Sequence, residues 1–581
     1  MAILQRRTPR AGLWERQHDD DDEQPGERRR GNQYKDKLSP WEVETYQLST
    51  LSCFAKMTIA ILSLCMLAAS AAAAPVLQDS VVRASTGYIH GAINSNYSNV
   101  REFLNVPYGQ STAGSNRFMP PLPVPASSLH VDATDYAPMC PQYVTAVKNI
   151  WNQEIPWYLA TWGNANYSAG ESAVFANEDC LKLAVWTPAN ATAASHLPVA
   201  FFITGGGFQT NGILVPGQLP PRWVSRSQSH IVVTINYRMN ILGFPNAAGV
   251  DDKNLGIMDS RLALEWVRDN IGYFGGDPGR ITIWGQSAGA AAVDILQYAY
   301  WDDPIAHGSF AESGSVINSG PASDIGNSNF TYVAKNLGCD YPNDASLELQ
   351  CMQKLDYNDI FKINFMGQYQ DNSTLVDKTQ PRLSFSTVAD EKIVFSNNSE
   401  RYLMGKVTKA PMIYSTVANE GGSLAPFPAD LSAGQNQTAA NAVTINTLCG
   451  AAKSSILRNS IDLPTYRYQY AGNWTNQDPL PWMGAFHSSD LVMLFGTYAD
   501  NAPAVEPLEA QTSEAMEDHL LAFVRDPWNG PATVGWPRFN TSAENGGTLL
   551  RFGADGKAVQ EVDANDVQAV CTGAGDYEPF P

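Results

Sequence analysis

The sequence predicts an α/β fold with a large, mostly parallel central sheet. Short β-branched or apolar runs at 231–237 and 281–284 predict buried strands, and an amphipathic helix is predicted between them at 259–271. Strands separated by helices form parallel sheets with helices on their faces. At 281–296 a strand, a sharp G-x-S-x-G turn and an apolar helix follow one another, which is the local context of a nucleophilic serine.

The remaining elements complete this architecture. The chain from 76 to about 135 predicts short strands and turns. Further strands are predicted at 183–187, 198–204, 410–414 and 465–470, and further helices at 290–296, 491–495 and 513–524. Residues 549–562 predict a hairpin that turns at 553–556. Small β additions at the two ends of the chain therefore flank the central sheet.

Composition narrows the possible partners. The 581 residues are 44% hydrophobic and 17% charged, and the formal net charge is −20. Such an acidic chain repels nucleic acid and anionic lipid headgroups, so neither is an expected partner. The chain has no C-x-x-C pair, and we expect no metal and no cofactor.

The N-terminal part differs from the rest. Residues 1–56 are charged and poor in apolar side chains, a composition typical of a disordered extension. Residues 57–74 join a basic start, an apolar run and small residues, which predicts a signal peptide with Met57 as the true start. A type II signal anchor is the alternative. Residues 75–581 are expected to form a single domain.

Cysteines and sequons indicate an extracellular chain. Pairing neighbours in sequence joins Cys140 to Cys180 and Cys339 to Cys351, which leaves Cys449 and Cys571, although six cysteines allow 15 connectivities. Disulfides are typical of secreted proteins. Sequons for N-glycosylation follow the predicted signal at Asn96, Asn166, Asn190, Asn329, Asn372, Asn397, Asn436, Asn473 and Asn540. The segment between Cys140 and Cys180 is rich in aromatic residues, which either pack it onto the body or face a substrate.

Ser287, at the centre of the G-x-S-x-G turn, would need a base to take its proton. Three histidines follow it. His307 is too near the helix that leaves the turn to fold back, and His519 lies on the polar face of helix 513–524, where we expect it to be solvated. His487 lies in a turn before an apolar helix and is the predicted base.

An acid and oxyanion donors would complete the site. In chain order, the acid that orients the histidine falls between the serine and the histidine. Glu420 meets this requirement and follows strand 410–414. Loops after the carboxyl ends of strands carry the catalytic residues in open α/β sheets. Donors are expected from the N–H of Ala288 and from the glycine turn 205–207, which follows strand 198–204.

Taken together, these segments resemble the type-B carboxylesterase/lipase family of the α/β-hydrolase fold, and most closely its secreted fungal esterases and lipases. The resemblance covers residues from about 80 to 575. It rests on FLNVPY at 103–108, RF at 117–118, NEDCL at 177–181, GGGF at 205–208, NYR at 236–238, NLG at 254–256, FGGDP at 274–278, GQSAGA at 285–290, ESGS at 312–315 and His487.

The resemblance assigns roles. It implies Ser287 as nucleophile, Glu420 as acid and His487 as base, with Gly206, Gly207 and Ala288 as oxyanion donors. It also implies the pairs Cys140–Cys180 and Cys339–Cys351, a structural ion pair between Arg117 and Glu178, and Ser313 near the catalytic acid.

Departures from the family pattern concern the surroundings of the serine. Gln286 stands where many members have glutamate, Thr204 where many have histidine and Ala184 where asparagine is usual. The segment 416–422 lacks the usual glycine ahead of the acid's loop. An uncharged Gln286 argues against a choline ester as substrate.

The expected function is that of a secreted serine carboxylesterase acting on small-molecule esters, without stable membrane insertion. Alternatives are a lipase for longer acyl chains, an acyltransferase or esterase of a secondary metabolite, and a catalytically silent recognition protein. The last is disfavoured because the predicted site is complete.

Overall fold

An eleven-stranded mixed sheet runs through the part of the chain that the computed structural model describes, residues 80–143, 148–155, 175–317, 324, 326–361, 383, 385–500 and 505–581. In chain order the strands are β1 (Val81–Ala84), β2 (Gly87–His90), β3 (Ala92–Ile93), β4 (Val100–Pro107), β5 (His130–Asp132), β6 (Lys182–Pro188), β7 (Leu197–Ile203), β8 (Ile231–Ile235), β9 (Gly276–Gln286), β10 (Gly308–Glu312), β11 (Met412–Val417), β12 (Thr465–Tyr470), β13 (Thr548–Ala554) and β14 (Lys557–Asp563).

The large sheet has the order β14-β13-β12-β11-β10-β9-β7-β8-β6-β4-β3. Neighbours from β13 to β8 are parallel. The flanking strands are antiparallel, with β14 at one end and β6, β4 and β3 at the other. Strands β1, β2 and β5 form a separate small sheet. The predicted mostly parallel sheet with terminal β additions is confirmed.

Helices cover both faces of the large sheet. Within the described residues they are α1 (Ile150–Gln153), α2 (Pro221–Ser227), α3 (Asn240–Gly243), α4 (Leu255–Asn270), α5 (Ala288–Ala299), α6 (Ser328–Asn336), α7 (Ala345–Met352), α8 (Asn398–Leu403), α9 (Gly421–Leu424), α10 (Gln437–Asn459), α11 (Leu491–Leu494), α12 (Pro507–Arg525), α13 (Gly530–Thr533) and α14 (Ala564–Gln568). Helices α4 and α5 contribute to one core, and α2, α11 and α12 to the other.

Successive side chains of the central strands point alternately into these two cores. In β7, Phe201 and Ile203 enter the first core, whereas Phe202 enters the second. In β9, Ile283 and the following Trp284 divide in the same way. Each burial of a large apolar side chain contributes about 1.5–3 kcal/mol. Because both faces are covered, parallel strands of this kind are apolar throughout, as the sequence indicated.

Cross-links tie the outer segments to the sheet. The structure has the disulfides Cys140–Cys180, Cys339–Cys351 and Cys449–Cys571, the connectivity that neighbour pairing gives. Arg117 and Glu178 form a buried two-pronged ion pair, with Nε–Oε1 and Nη2–Oε2 distances of 2.6 Å. The ion pair implied by the family resemblance is therefore present.

The sequons differ in exposure. Asn329 lies inside α6 and is only 6% exposed, which disfavours a glycan at this sequon. Asn96, Asn190, Asn397, Asn436, Asn473 and Asn540 are exposed.

Several predictions fall on other parts of the chain. The sequons Asn166 and Asn372, the extension 1–56, the signal 57–74 and most of the aromatic segment after Cys140 lie outside the described residues. Among the helices that are described, none combines the length and apolar character needed to cross a bilayer.

Candidate active site

Ser287 lies at a sharp turn between a central strand and a buried helix. Strand β9 ends at Gln286, and α5 begins at Ala288. Ser287 has φ 58° and ψ −120°, a conformation that costs an L-residue of order 1–3 kcal/mol and is typical of active sites. A hydrogen bond from Ser287 N to Glu312 O, 2.8 Å long, holds the turn against β10. The predicted strand–turn–helix context is confirmed.

Glycines on either side allow this turn to form. A methyl group at Gly285 would collide with the backbone of Gly289, and one at Gly289 would collide with the Ile203 carbonyl. Gly314 is needed for the same reason, because a Cβ there would lie 2.5 Å from Ser287 O. The glycines of the G-x-S-x-G sequence therefore serve close backbone approach.

The glycine turn 205–207 reaches the same edge of the sheet. Strand β7 lies parallel to β9, with Ile203 opposite Gly285, so the residues after β7 face the serine turn. Gly206 and Gly207 have φ angles of 111° and 63°, which only glycine adopts freely. Among the described residues, the N–H groups of Gly206, Gly207 and Ala288 donate no backbone hydrogen bond.

Buried side-chain amides hold the far side of this turn. Gln142 accepts a hydrogen bond from Asn211 N at 2.7 Å and donates one to Asn211 O at 3.2 Å. Asn236 accepts a hydrogen bond from Ile213 N at 2.9 Å. The backbone that presents the glycine N–H groups is thus fixed in advance, as an oxyanion site requires.

Glu420 and His487 meet behind the serine turn. Glu420 follows β11 and begins α9, and His487 Nδ1 lies 2.5 Å from Glu420 Oε2. Glu420 is fully buried and His487 is 5% exposed. The other carboxylate oxygen accepts a hydrogen bond from Val417 N at 3.0 Å. Since a carboxylate only accepts, the imidazole proton resides on Nδ1 and the lone pair on Nε2.

Asn419 links the loops that carry these two residues. Its backbone N donates to Ala485 O at 2.8 Å, and its side chain donates to Met483 O at 2.7 Å. Asn419 also forms a parallel bridge with Phe486, directly before His487. These bonds therefore hold the loops of Glu420 and His487 together, although 67 positions separate the two residues.

Gln286 brings the serine turn into contact with this unit. Its Nε2 lies 3.1 Å from His487 Nε2, and the side chain is buried. Because Nε2 of the imidazole carries the lone pair, the glutamine amide is the donor. The elbow, the histidine and the acid thus form one connected set.

A second pair of carboxyl groups lies beneath the histidine. Glu312 accepts a hydrogen bond from Trp284 Nε1 at 2.5 Å, and Asp490 accepts one from the Tyr468 hydroxyl at 3.1 Å. Burial and the neighbouring Asp490 raise the pKa of Glu312 well above its usual range, and burial also raises the pKa of Asp490. This pair therefore retains a proton under conditions in which exposed carboxyls are ionised.

The other histidines lie elsewhere. His307 precedes β10 at its amino end, whereas Ser287 follows the carboxyl end of β9, so the expectation that His307 does not reach the serine is confirmed. The expectation that His519 is solvated is wrong. Its ring is half-buried, with its centroid 6.0 Å from that of Trp536 and 5.4 Å from that of Phe552, because β13 and the chain after α12 cover this side of the helix.

Two further expectations concern neighbours of the site. Trp151, from the aromatic segment after Cys140, packs edge-on against Phe486 with ring centroids 6.0 Å apart, so this aromatic supports the histidine loop. Ser313 Oγ is buried and has no hydrogen-bond partner among the described residues. The expected link between Ser313 and the catalytic acid is thus not formed through its hydroxyl.

Some contacts escaped prediction from sequence. Glu312 and Asp490 belong to segments already noted, ESGS and the turn after His487, but nothing in either segment indicates that the two carboxyls share a buried space. The sequence does not predict the role of Asn419, because an asparagine before a glutamate is not a distinctive pattern. The sequence marks Gln286 as a departure from the family pattern, but only the folded structure shows that it contacts His487.

Comparison with known proteins places this geometry in a family. The model of the carboxylesterase family matches residues 78–455. The chain is 36% identical to secreted lipase 5 of Gibberella zeae over 85% of this chain and 94% of the relative. It is 34% identical to chlorogenic acid esterase of Aspergillus niger over 84% and 94%. Lipase 4 of Diutina rugosa is 27% identical over 78% and 89%.

The family match covers more than half of the chain, and two of these relatives exceed 30% identity over most of both chains. The serine turn, the glycine turn and Glu420 lie within the matched residues, and His487 follows them. The chain belongs to the carboxylesterase family of the α/β-hydrolase fold and is a carboxylic ester hydrolase.

Proposed function

We propose that Ser287 is the nucleophile, His487 the general base and acid, and Glu420 the residue that orients His487. Gly206, Gly207 and Ala288 donate their backbone N–H groups to the oxyanion. Four segments that are distant in the sequence supply these groups at one edge of the sheet. The activity follows from this arrangement without a cofactor.

The reaction proceeds in two halves. His487 Nε2 takes the proton of Ser287 Oγ as that oxygen attacks the ester carbonyl carbon, and the carbonyl oxygen becomes an oxyanion held by the three N–H donors. The intermediate collapses, the C–O bond to the alcohol breaks and His487 gives its proton to the leaving alkoxide. Water then attacks the acyl-enzyme with His487 again as base, which releases the acid and restores Ser287.

The observation that carries the proposal is the buried bond between His487 Nδ1 and Glu420 Oε2, 2.5 Å long. It leaves Nε2 of the imidazole as the basic nitrogen, and the 3.1 Å contact to Gln286 places that nitrogen beside the serine turn. A surface histidine would need neither a buried acid nor a neighbour from the elbow. The pairing therefore favours a catalytic role over a structural one.

Substitution of Ser287 tests the assignment. Ser287→Ala should abolish hydrolysis of a p-nitrophenyl ester, because no other group in the proposed mechanism attacks the carbonyl. A fluorophosphonate probe should label Ser287 in the wild-type chain and leave Ser287→Ala unlabelled. The exposed serine variant Ser432→Ala is the control and should retain wild-type rate and labelling. Normal hydrolysis by Ser287→Ala, or no labelling of the wild-type chain, would refute the assignment.

We propose an uncharged carboxylic ester as the substrate. Gln286 supplies no negative charge beside the serine, so a cationic substrate lacks a counter-charge at that position. The names of the relatives suggest two ester classes, hydroxycinnamoyl esters such as chlorogenic acid and the long acyl esters hydrolysed by lipases.

A panel of p-nitrophenyl esters of increasing acyl length, with chlorogenic acid beside them, separates the two. A rate that rises with acyl length, and that increases further once the ester concentration exceeds the micelle point, would favour the lipase.

The enzyme is proposed to act outside the cell as a glycoprotein. The exposed sequons, the disulfides and the word "secreted" in the name of the Gibberella zeae relative support this location. The N-terminal residue of the native protein tests processing, and its mass before and after glycosidase treatment tests glycosylation. A start near Met1 with residues 57–74 retained would favour the signal-anchored alternative.

A further inference from the structure

We propose that Gln286 is a positioning residue for His487 in both protonation states of the imidazole. The inference rests on the proposed function, because it concerns the nitrogen that exchanges a proton with Ser287. Gln286 is the last residue of β9, and its side-chain amide lies 3.1 Å from His487 Nε2. The two side chains are 2% and 5% exposed, so water does not compete for this contact.

Gly205 lies directly against Gln286, whose backbone oxygen would lie 2.7 Å from a Cβ at that position. Gly205 does not adopt a positive φ, unlike Gly206 and Gly207. A Cβ on Gly205 would nevertheless lie 2.7 Å from Gln286 Oε1 and 3.0 Å from Ser287 Cβ. Glycine at 205 is therefore required for close approach, and the group it makes room for includes the amide oxygen of Gln286.

The chemistry of the amide suits the catalytic cycle. Neutral His487 presents a lone pair at Nε2 and needs a donor, whereas the imidazolium presents an N–H and needs an acceptor. In the resting state the glutamine N–H group occupies the Nε2 lone pair. Rotation of the amide frees that lone pair for the Ser287 proton and turns the carbonyl oxygen toward the imidazolium that then forms. A glutamate can only accept when ionised, so it would favour the imidazolium, which is unable to take the serine proton.

Several acidic side chains already lie around His487. Glu420 contacts Nδ1 of the ring. Asp490 lies three residues after His487 in the same loop, and Glu312, at the end of β10, is paired with Asp490. Tyr577 from the C-terminal segment approaches the Glu420 loop through its hydroxyl. An uncharged residue at 286 avoids adding another anion to this group.

The variants Gln286→Glu and Gln286→Leu test the proposal. In Gln286→Glu, the new carboxylate within about 4 Å of the ring should move the acid limb of the kcat/KM profile upward by about one pH unit or more, which is at least about a tenfold loss on that limb. Gln286→Leu removes both the donor and the acceptor. We expect kcat to fall about tenfold for Gln286→Leu with KM little changed, and the acid limb not to move upward.

Gln297→Glu, which buries a carboxylate at a glutamine of α5, controls for the cost of a buried charge and should keep the wild-type acid limb. The rate of fluorophosphonate labelling against pH gives the same profile without product release. Coincident acid limbs for Gln286→Glu and the wild type, or wild-type kcat in folded Gln286→Leu, would overturn the proposal while leaving Ser287 labelled. Loss of labelling in the wild-type chain would instead refute the proposed function.

Discussion

Beneath the imidazole, the Glu312–Asp490 pair holds a proton because burial disfavours two charged carboxylates side by side. Each residue has one oxygen with a donor, Trp284 for Glu312 and Tyr468 for Asp490. The remaining oxygens, Glu312 Oε1 and Asp490 Oδ1, have no other partner among the described residues. A single shared proton between them satisfies both, and it also keeps one negative charge away from Glu420.

This arrangement makes stability depend on pH. An unfolded glutamate loses its proton near its ordinary pKa of 4.5, whereas the raised pKa of native Glu312 keeps the proton bound at higher pH. The folded state then binds more protons than the unfolded state, so its free energy of unfolding falls as pH rises above about 4.5. Glu312→Gln should remove this loss and gain stability relative to the wild type between about pH 5 and 8, by at most about 1.4 kcal/mol per pH unit.

Urea unfolding of both proteins across that range provides the measurement. The variant Glu514→Gln removes a carboxylate from an exposed position on α12 and serves as the control for a simple change in net charge. A constant difference between Glu312→Gln and the wild type at every pH would show that native Glu312 is ionised throughout the range.

Individual residues show where prediction from sequence succeeds. The positions of Ser287 in the serine turn and of His487 beside Glu420 follow from turn geometry and chain order, and their catalytic roles remain predictions. The role of His519 was predicted wrongly, since helical periodicity reports which face is polar but not which later segment covers that face. The contact between Gln286 and His487 joins residues 201 positions apart, and no local pattern encodes such a distance.

At the scale of elements, the site is assembled by strand ends. Strands β7, β9 and β11 run in the same direction, so the glycine turn, Ser287 and Glu420 all follow carboxyl ends at one edge of the sheet. Ligand sites of open α/β sheets lie at this edge. The histidine loop follows β12, which is parallel to β11, and this completes the site.

Two elements of this scaffold were not predicted. Strand β10 lies between β9 and β11 but contains only one large apolar residue, Phe310, in its sequence GSFAE. Helix α10 buries small residues, among them Ala440, Thr444 and Ala451, in place of a stripe of large apolar side chains. Hydrophobic periodicity detects large side chains, so both elements became visible only through their pairing and packing.

The C-terminal segment supports the acid and histidine loops from outside the sheet. The Tyr577 hydroxyl donates to Ala418 O at 2.7 Å, two residues before Glu420. Phe580 packs against Gly484, where an added Cβ would lie 2.7 Å from the aromatic ring. Tyr577→Phe leaves the Ala418 carbonyl without its donor in a buried place, which costs about 1–3 kcal/mol. We expect a lower unfolding midpoint together with a several-fold fall in kcat.

The matched control for this change is Tyr341→Phe. Tyr341 is 39% exposed and lies between α6 and α7, away from the acid and histidine loops. Both variants lose one hydroxyl, so thermal unfolding and ester hydrolysis measured side by side isolate the contact with Ala418. Equal values for the two variants would mean that the C-terminal segment does not support the catalytic loops.

For the whole molecule, the disulfides differ in the length of chain they enclose. Cys449–Cys571 spans 122 positions, which include β12 and His487, whereas Cys339–Cys351 spans 12. The longer bridge joins α10 to the residues just before Tyr577, and Cys571 and Tyr577 belong to the same small apolar cluster. Covalent closure therefore acts on the histidine loop, the acid loop and the C-terminal segment together.

Removing each bridge by paired alanine substitutions tests this link between stability and activity. In the chain-entropy description, loops of 12 and 122 residues contribute about 3 and about 5 kcal/mol. Loss of Cys449–Cys571 should thus lower the free energy of unfolding by about 2 kcal/mol more than loss of Cys339–Cys351. Its ester hydrolysis should also fail at a urea concentration below the global transition, because the C-terminal segment detaches from the catalytic loops first. Activity that declines together with tryptophan fluorescence in both variants would show that the C-terminal segment unfolds only with the rest of the molecule.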